Sequence, residues 1–295
     1  MYYYCPTALS RPREHANPDG FVEESHSLPP REKKSLPVVL SIAGYDPTSG
    51  AGVTADIKTI AAHGCYAITC ITALTVQSTR GVKRVEMVDS RIITETLEEL
   101  ITDFKVAAVR IGMLGSAEAV RTVAAFLRRN QPENVVLDPI LKSSSGADLI
   151  FREGAQAIKD KLLPLVDVIT PNIDEAAALT GLPVHNVEEM QVAAAQLHRL
   201  GARNVIVTGG HLDPPVDLLS RTSGHEVKLY KGERVTGSST HGTGCAFSAA
   251  VACNLAHDES LADATRDAKQ YVFNALKNAI ALGKGKGPIN HLYRK

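Results

Sequence analysis

Neither sign of charge is in excess in this chain. Its 32 Lys and Arg balance 32 Asp and Glu, a formal net charge of +0 at neutral pH. No basic patch or DNA-binding pattern accompanies that balance, so neither nucleic acid nor a membrane surface is expected as a partner. Long apolar runs are also missing; none reaches the roughly 18 residues that span a bilayer. The start, Met1-Tyr2-Tyr3-Tyr4-Cys5-Pro6, lacks the basic-then-apolar order of a secretory signal. Cysteine is scarce. The five, at 5, 65, 70, 245 and 253, show no metal-ligand spacing and are too few for a disulfide scaffold. They fit a reducing cytoplasm. Cys65 and Cys70 lie in an apolar, strand-like stretch and read as core.

What is present suffices for one large α/β domain: 295 residues, 44% of them hydrophobic. Residues 1–35 carry Pro6, Pro12, Pro18, Pro29 and Pro30, many charges and no helical or strand period. They read as a disordered tail ahead of a domain over 36–295. From Leu36 onward, apolar runs alternate with helical patterns. Strands are expected at 36–42, 65–73, 106–112, 134–138, 165–169 and 204–208. Helices are expected at 52–63, 90–103, 116–130, 152–162, 173–180, 187–200, 243–256 and 260–282. Val82–Val88 and Val227–Tyr230 fit extra antiparallel strands. Alternation of this kind implies a mainly parallel sheet covered by helices on both faces, with ligands at the C-terminal strand ends.

Two glycine-rich loops stand out. The run Ala43-Gly44-Tyr45-Asp46-Pro47-Thr48-Ser49-Gly50-Ala51-Gly52 follows a strand and precedes a helix. It is neither a Walker A loop nor a clean dinucleotide fingerprint. The second, Thr240-His241-Gly242-Thr243-Gly244-Cys245, opens an apolar helix. Backbone N–H groups curled by its glycines, with the positive end of that helix, make a cradle for a phosphate under transfer. Cys245 falls in the first helical turn, where a lowered thiol pKa and a thiolate base are expected. One loop suits an acceptor substrate and the other a phosphate donor.

The ordered set Ser41-Ile42-Ala43-Gly44, Gly50-Ala51-Gly52, Gln77-Ser78-Thr79-Arg80-Gly81, Ile111-Gly112-Met113-Leu114, Val136-Leu137-Asp138-Pro139, Thr170-Pro171-Asn172-Ile173-Asp174-Glu175, Gly209-Gly210-His211 and Thr240–Cys245 resembles the ribokinase-like family. Within it, the chain resembles the hydroxymethylpyrimidine and phosphomethylpyrimidine kinases of thiamine biosynthesis. The resemblance implies a three-layer α/β/α fold, ATP and Mg²⁺ as cofactors, a small-molecule substrate and a homodimer. It implies that Gly44, Ala51, Asp56, Gln77 and Met113 line the pyrimidine pocket. Asn172, Thr208 and Gly210 would flank the nucleotide. Gly242, Thr243, Gly244 and Cys245 would carry the chemistry, with Cys245 in place of the aspartate base of most of the wider family.

Read on their own chemistry, Asp138 is a turn former or a strand-end carboxylate near Mg²⁺, and Asn172 with Glu175 is a helix capping pair. The resemblance adds that Glu175 orients Mg²⁺-bound water. Gln77 offers both a donor and an acceptor to an aminopyrimidine edge. His211 and His241 read as loop residues near the site. Two departures stand out. Thr208 and Ser144 occupy positions where lysines are common in these kinases, leaving Lys142 and Arg80 to supply charge. A pyridoxal kinase of the same fold and a non-catalytic pyrimidine-binding module are the alternatives.

Overall fold

A strand covered on both faces needs apolar side chains on both, and the run from Val38 supplies them. The computed structural model describes residues 36–143, 146, 149–150, 152–222 and 226–294. The expected tail, residues 1–35, and Ser144 lie outside the described residues. In β1 (Val38–Tyr45), Leu40 and Ile42 enter one core, together with Val109, Ile111, Val135 and Leu137. Val39 enters the opposite core with Ala108 and Val136. The same alternation recurs in β4 (Val106–Ile111), β5 (Val135–Leu137) and β7 (Asn204–Gly209), which identifies them as inner strands.

Among the described residues one sheet of nine strands runs in the order β3-β2-β1-β4-β5-β6-β7-β8-β9. Strands β2 (Tyr66–Ser78), β1, β4, β5, β6 (Val168–Ile169) and β7 are parallel neighbours. The outer strands β3 (Gly81–Met87), β8 (Val216–Arg221) and β9 (Glu226–Lys231) pair antiparallel. One face is covered by α2 (Ser90–Asp103), α3 (Ala117–Asn130), α5 (Ile173–Thr180) and α6 (Val187–Arg199). The other carries α1 (Gly52–Ala62), α7 (Thr243–Ala256) and α8 (Leu261–Lys277). This is the expected α/β/α arrangement. The chain goes from β1 out to β2, then returns to place β4 on the other side of β1. That reversal opens a crevice at the C-terminal ends of β1 and β4, where such folds bind ligands.

Several elements differ from the sequence-based expectation. Strand β2 runs on to Ser78 because it pairs with β3 through the antiparallel hairpin. Strand β8 was not expected; its run Val-Asp-Leu-Leu-Ser lacks clean alternation because both faces are covered. Its Asp217 is buried, bonded to Lys269 at 2.8 Å and to the Gly209 N–H at 3.0 Å. The expected helix 152–162 divides into α4 (Arg152–Ala157), a wider π-helical turn, Ile158–Leu162, and a 3₁₀ turn, Leu163–Leu165, that contains Pro164. Helix α8 ends at Lys277 rather than 282, and the chain beyond it leaves the helix axis with Ile280 and Leu282 exposed.

Candidate active site

The first glycine-rich loop is shaped by one buried carboxylate. Asp46 accepts from the backbone N–H of Thr48 at 2.8 Å and of Ala51 at 3.0 Å, and from the Thr48 hydroxyl at 2.9 Å. Its Oδ2 also lies 2.7 Å from His241 Nε2, which ties this loop to the second. Burial works against ionisation of Asp46. The hydrogen bonds from His241 and Thr48 outweigh it and hold the carboxyl below its ordinary pKa. His241 Nε2 also lies 3.2 Å from the Gln77 amide, so the two loops and the end of β2 meet at one imidazole. From the sequence His241 is a loop residue near the site; the fold makes it the junction of both loops.

Gly242 caps α7 with φ of 87°, a left-handed conformation. A Cβ there would stand 1.8 Å from the Gly50 carbonyl oxygen. Glycine alone lets the two loops touch along their backbones. The N–H groups that open α7 then face the crevice, as a phosphate cradle requires.

Beneath both loops sits Arg110, fully buried on β4. Its Nη1 donates to Asp56 at 2.9 Å, its Nη2 to Asp138 at 2.8 Å and its Nε to the Ser248 hydroxyl at 3.1 Å. Asp56 comes from α1, Asp138 from the end of β5 and Ser248 from α7. One guanidinium thus fixes the elements that carry both loops. Its fork suits two carboxylates at once, which an ammonium does not. Sequence reasoning passed over Arg110; the available signal was a charge inside the buried run Val-Ala-Ala-Val-Arg-Ile.

This network corrects two expectations. Asp56 does not line the cavity. It is fully buried, bonded to Ser41 at 2.6 Å as well as to Arg110, and burial pushes its pKa up to about 6 against the attraction of Arg110. Cys245 does lie at the start of α7, but its thiol is not lowered. Burial pushes it up to about 12, aided by the charges of Asp138 and Asp56. The charge of Arg110 and the Gly52 N–H favour the anion, yet desolvation outweighs them. The resting group is a thiol.

Across the crevice, the expected capping box forms. The Asn172 side chain accepts from the Glu175 N–H at 2.9 Å, and Glu175 accepts from the Asn172 N–H at 3.0 Å. Burial pushes Glu175 up to about 8, and the charge of Asp138 adds to this. Asp138 is also raised by burial, against the pull of Arg110. Two buried carboxylates at one cavity wall, the charge of Asp138 raising Glu175, fit a divalent cation. Among the described residues no cluster of three or more His, Cys, Asp or Glu could hold a metal alone. The pair matches a hydrated Mg²⁺, which keeps most of its waters and takes few carboxylates.

One cavity of about 830 Å³ collects these groups. Gly44, Ala51, Gln77 and Met113 line it, as do Asp138, Asn172, Glu175, Thr208, Gly242, Thr243, Gly244 and Cys245. His211, Lys142, Arg152 and Lys286 line it too. Gly210 does not; it is exposed on the loop after β7. Arg80, one of the two expected substitutes for missing lysines, also stands outside the lining. Arg152 and Lys286 were not foreseen, because neither sits in a recognisable motif.

A three-layer α/β/α sheet with two touching glycine-rich loops at its switch point defines a ribokinase-like small-molecule kinase. A family model described as phosphomethylpyrimidine kinase matches residues 46–290. The chain belongs to that family. It is 41% identical over 260 residues to the hydroxymethylpyrimidine/phosphomethylpyrimidine kinase of Haemophilus influenzae, covering 86% of this chain and 96% of that one. It is also 41% identical to a thiamine biosynthesis bifunctional protein of Geobacter sulfurreducens, over 86% of this chain but 52% of that protein. The chain thus spans about half the length of that bifunctional relative. Among solved structures, an ADP complex of Bacillus subtilis pyridoxal kinase superposes with a TM-score of 0.80 at 33% identity, covering 87% of this chain and 98% of that one.

Proposed function

We propose that this protein transfers the γ-phosphoryl group of ATP to 4-amino-5-hydroxymethyl-2-methylpyrimidine and then to the monophosphate so formed. The observation that carries the reading is the convergence of Gln77, Met113 and Gly44 with the N-terminus of α7 on one cavity. The pyrimidine lies against Gly44, Ala51, Gln77 and Met113, with Gln77 meeting its amino edge. ATP lies toward Asn172 and Thr208, its γ-phosphate over residues 242–245. Asp138 and Glu175 would hold a hydrated Mg²⁺, which would neutralise charge on the triphosphate.

Transfer is chiefly a matter of alignment and electrostatics. The N–H groups opening α7 stabilise charge on the moving phosphoryl group. Cys245 orients the acceptor oxygen through its thiol, and the acceptor's proton passes to an oxygen of the transferring phosphoryl group as the new P–O bond forms. A loose transition state asks for little basicity early, so a resting thiol serves by orientation without acting as a base. The bond to the acceptor oxygen forms as the β,γ bridge breaks, and ADP leaves.

We further infer a homodimer acting in the cytoplasm. Leu74 and Val76 lie on one face of β2, 49% and 48% exposed, where a second copy can cover them. The four described cysteines are free thiols, as a reducing compartment requires. Among the described residues no helix is long and apolar enough to cross a membrane.

The test is ADP release from Mg²⁺–ATP with the pyrimidine alcohol, its monophosphate or pyridoxal offered separately. Turnover is expected with the first two. Turnover on pyridoxal alone would favour the activity named for the Bacillus subtilis neighbour.

A further inference from the structure

Beyond α8 the chain returns across the mouth of the cavity as Gly283-Lys284-Gly285-Lys286-Gly287. Its backbone is fastened on both sides. The N–H groups of Lys284 and Gly285 donate to the Thr79 hydroxyl at 3.1 and 3.2 Å, and that of Lys286 to the Thr79 carbonyl at 2.9 Å. On the other side the His241 N–H donates to the Gly287 carbonyl at 3.0 Å. The fit is close: a Cβ on Gly285 would stand 2.1 Å from the Thr79 carbonyl oxygen, and one on Gly287 2.8 Å from the Ser239 hydroxyl. Register is therefore fixed, and Lys286 is the residue of this strap that lines the cavity.

The anchors decide which end of the cavity Lys286 serves. Thr79 is two residues past Gln77, in the turn between β2 and β3, and His241 itself lies against Gln77. Thr208 stands on β7, five strand spacings from β2, roughly 24 Å at ordinary strand separation. A lysine stem cannot cover that distance, so its charge serves the end of the cavity where Gln77 and the start of α7 meet. An uncharged pyrimidine alcohol offers no partner of full charge there. A phosphomonoester offers a dianion held between the ring and the start of α7.

We propose that Lys286 binds the phosphate of the phosphomonoester acceptor and sets the preference for it over the unphosphorylated alcohol. The inference rests on the pyrimidine-kinase reading above. It assigns a cationic role at the acceptor end to a residue outside every recognised motif.

The test is steady-state kinetics of the full chain at saturating Mg²⁺–ATP, comparing wild type, K286M and K286R. The readout is kcat/KM for the monophosphate divided by kcat/KM for the alcohol. In K286M this ratio is expected to fall roughly 10- to 100-fold, as for loss of a charge-assisted hydrogen bond, chiefly through KM. K286R should recover most of it. A K286M ratio within about twofold of wild type would overturn the inference. So would a variant whose main defect is a raised KM for ATP, which would place the lysine on the donor. A wild type active on neither acceptor would instead overturn the parent reading, and this inference with it.

Discussion

Cys245 shows how far burial can override a local motif. A helix N-terminus and an adjacent guanidinium both favour a thiolate, and sequence reasoning could see only the helix end. It could not see Asp56 and Asp138 on the other side of Arg110, nor the desolvation that dominates. The thiol is nonetheless the side chain proposed to orient the acceptor oxygen at the transfer point. Cys245→Ala should fold, since alanine suits a first helical turn, and should lose about 10²-fold in kcat, as for a misaligned acceptor. Near-wild-type kcat on the pyrimidine would leave the cradle acting through its backbone alone. Glu175 gives a pH signature. Its folded pKa of about 8 stands above the ordinary 4.5, so between these values the folded chain keeps a proton that the unfolded chain has released. Without cation, this residue's contribution to stability therefore falls as pH rises through that window. A bound cation displaces the proton, so apparent Mg²⁺ affinity should rise with pH, by up to about tenfold per unit, and level off above the folded pKa. Mg²⁺ titrations of activity at several pH values measure it. Glu175→Gln should flatten the dependence; an unaltered slope would leave Glu175 as a helix cap only.

At the scale of elements, legibility followed the strength of local constraint. The capping box at Asn172 and Glu175 was readable because both partners lie within one turn. The inner strands were readable because two covered faces demand unbroken apolar runs. Strand β8 was not, because Asp217 interrupts its run and finds its partner 52 residues away in Lys269. The glycine loops announced themselves, but their mutual contact did not. It depends on Gly50 and Gly242, which only the fold brings together. The strap is the extreme case. It belongs to no motif read from the sequence, while its backbone is bonded to a turn some 200 positions earlier.

Among the described residues, the sheet order, both cores and the cavity lining fall within 36–294. The proline-rich residues 1–35 carry no periodicity that could add to either core. We expect their deletion to leave the melting temperature and both phosphorylation rates nearly unaltered. A drop of many degrees in a thermal melt would show that they pack on the domain. The shared guanidinium of Arg110 has a consequence of another kind. Substituting Arg110 alone leaves two buried carboxylates unpaired, at a cost of about 3–5 kcal/mol, and substituting Asp56 or Asp138 leaves one nitrogen of the buried guanidinium without its acceptor. A descendant of this gene can leave the arrangement only through matched changes made together. The three positions are then inherited as a block, and an arginine flanked in space by its two carboxylates becomes a better mark of distant kinship than any one glycine.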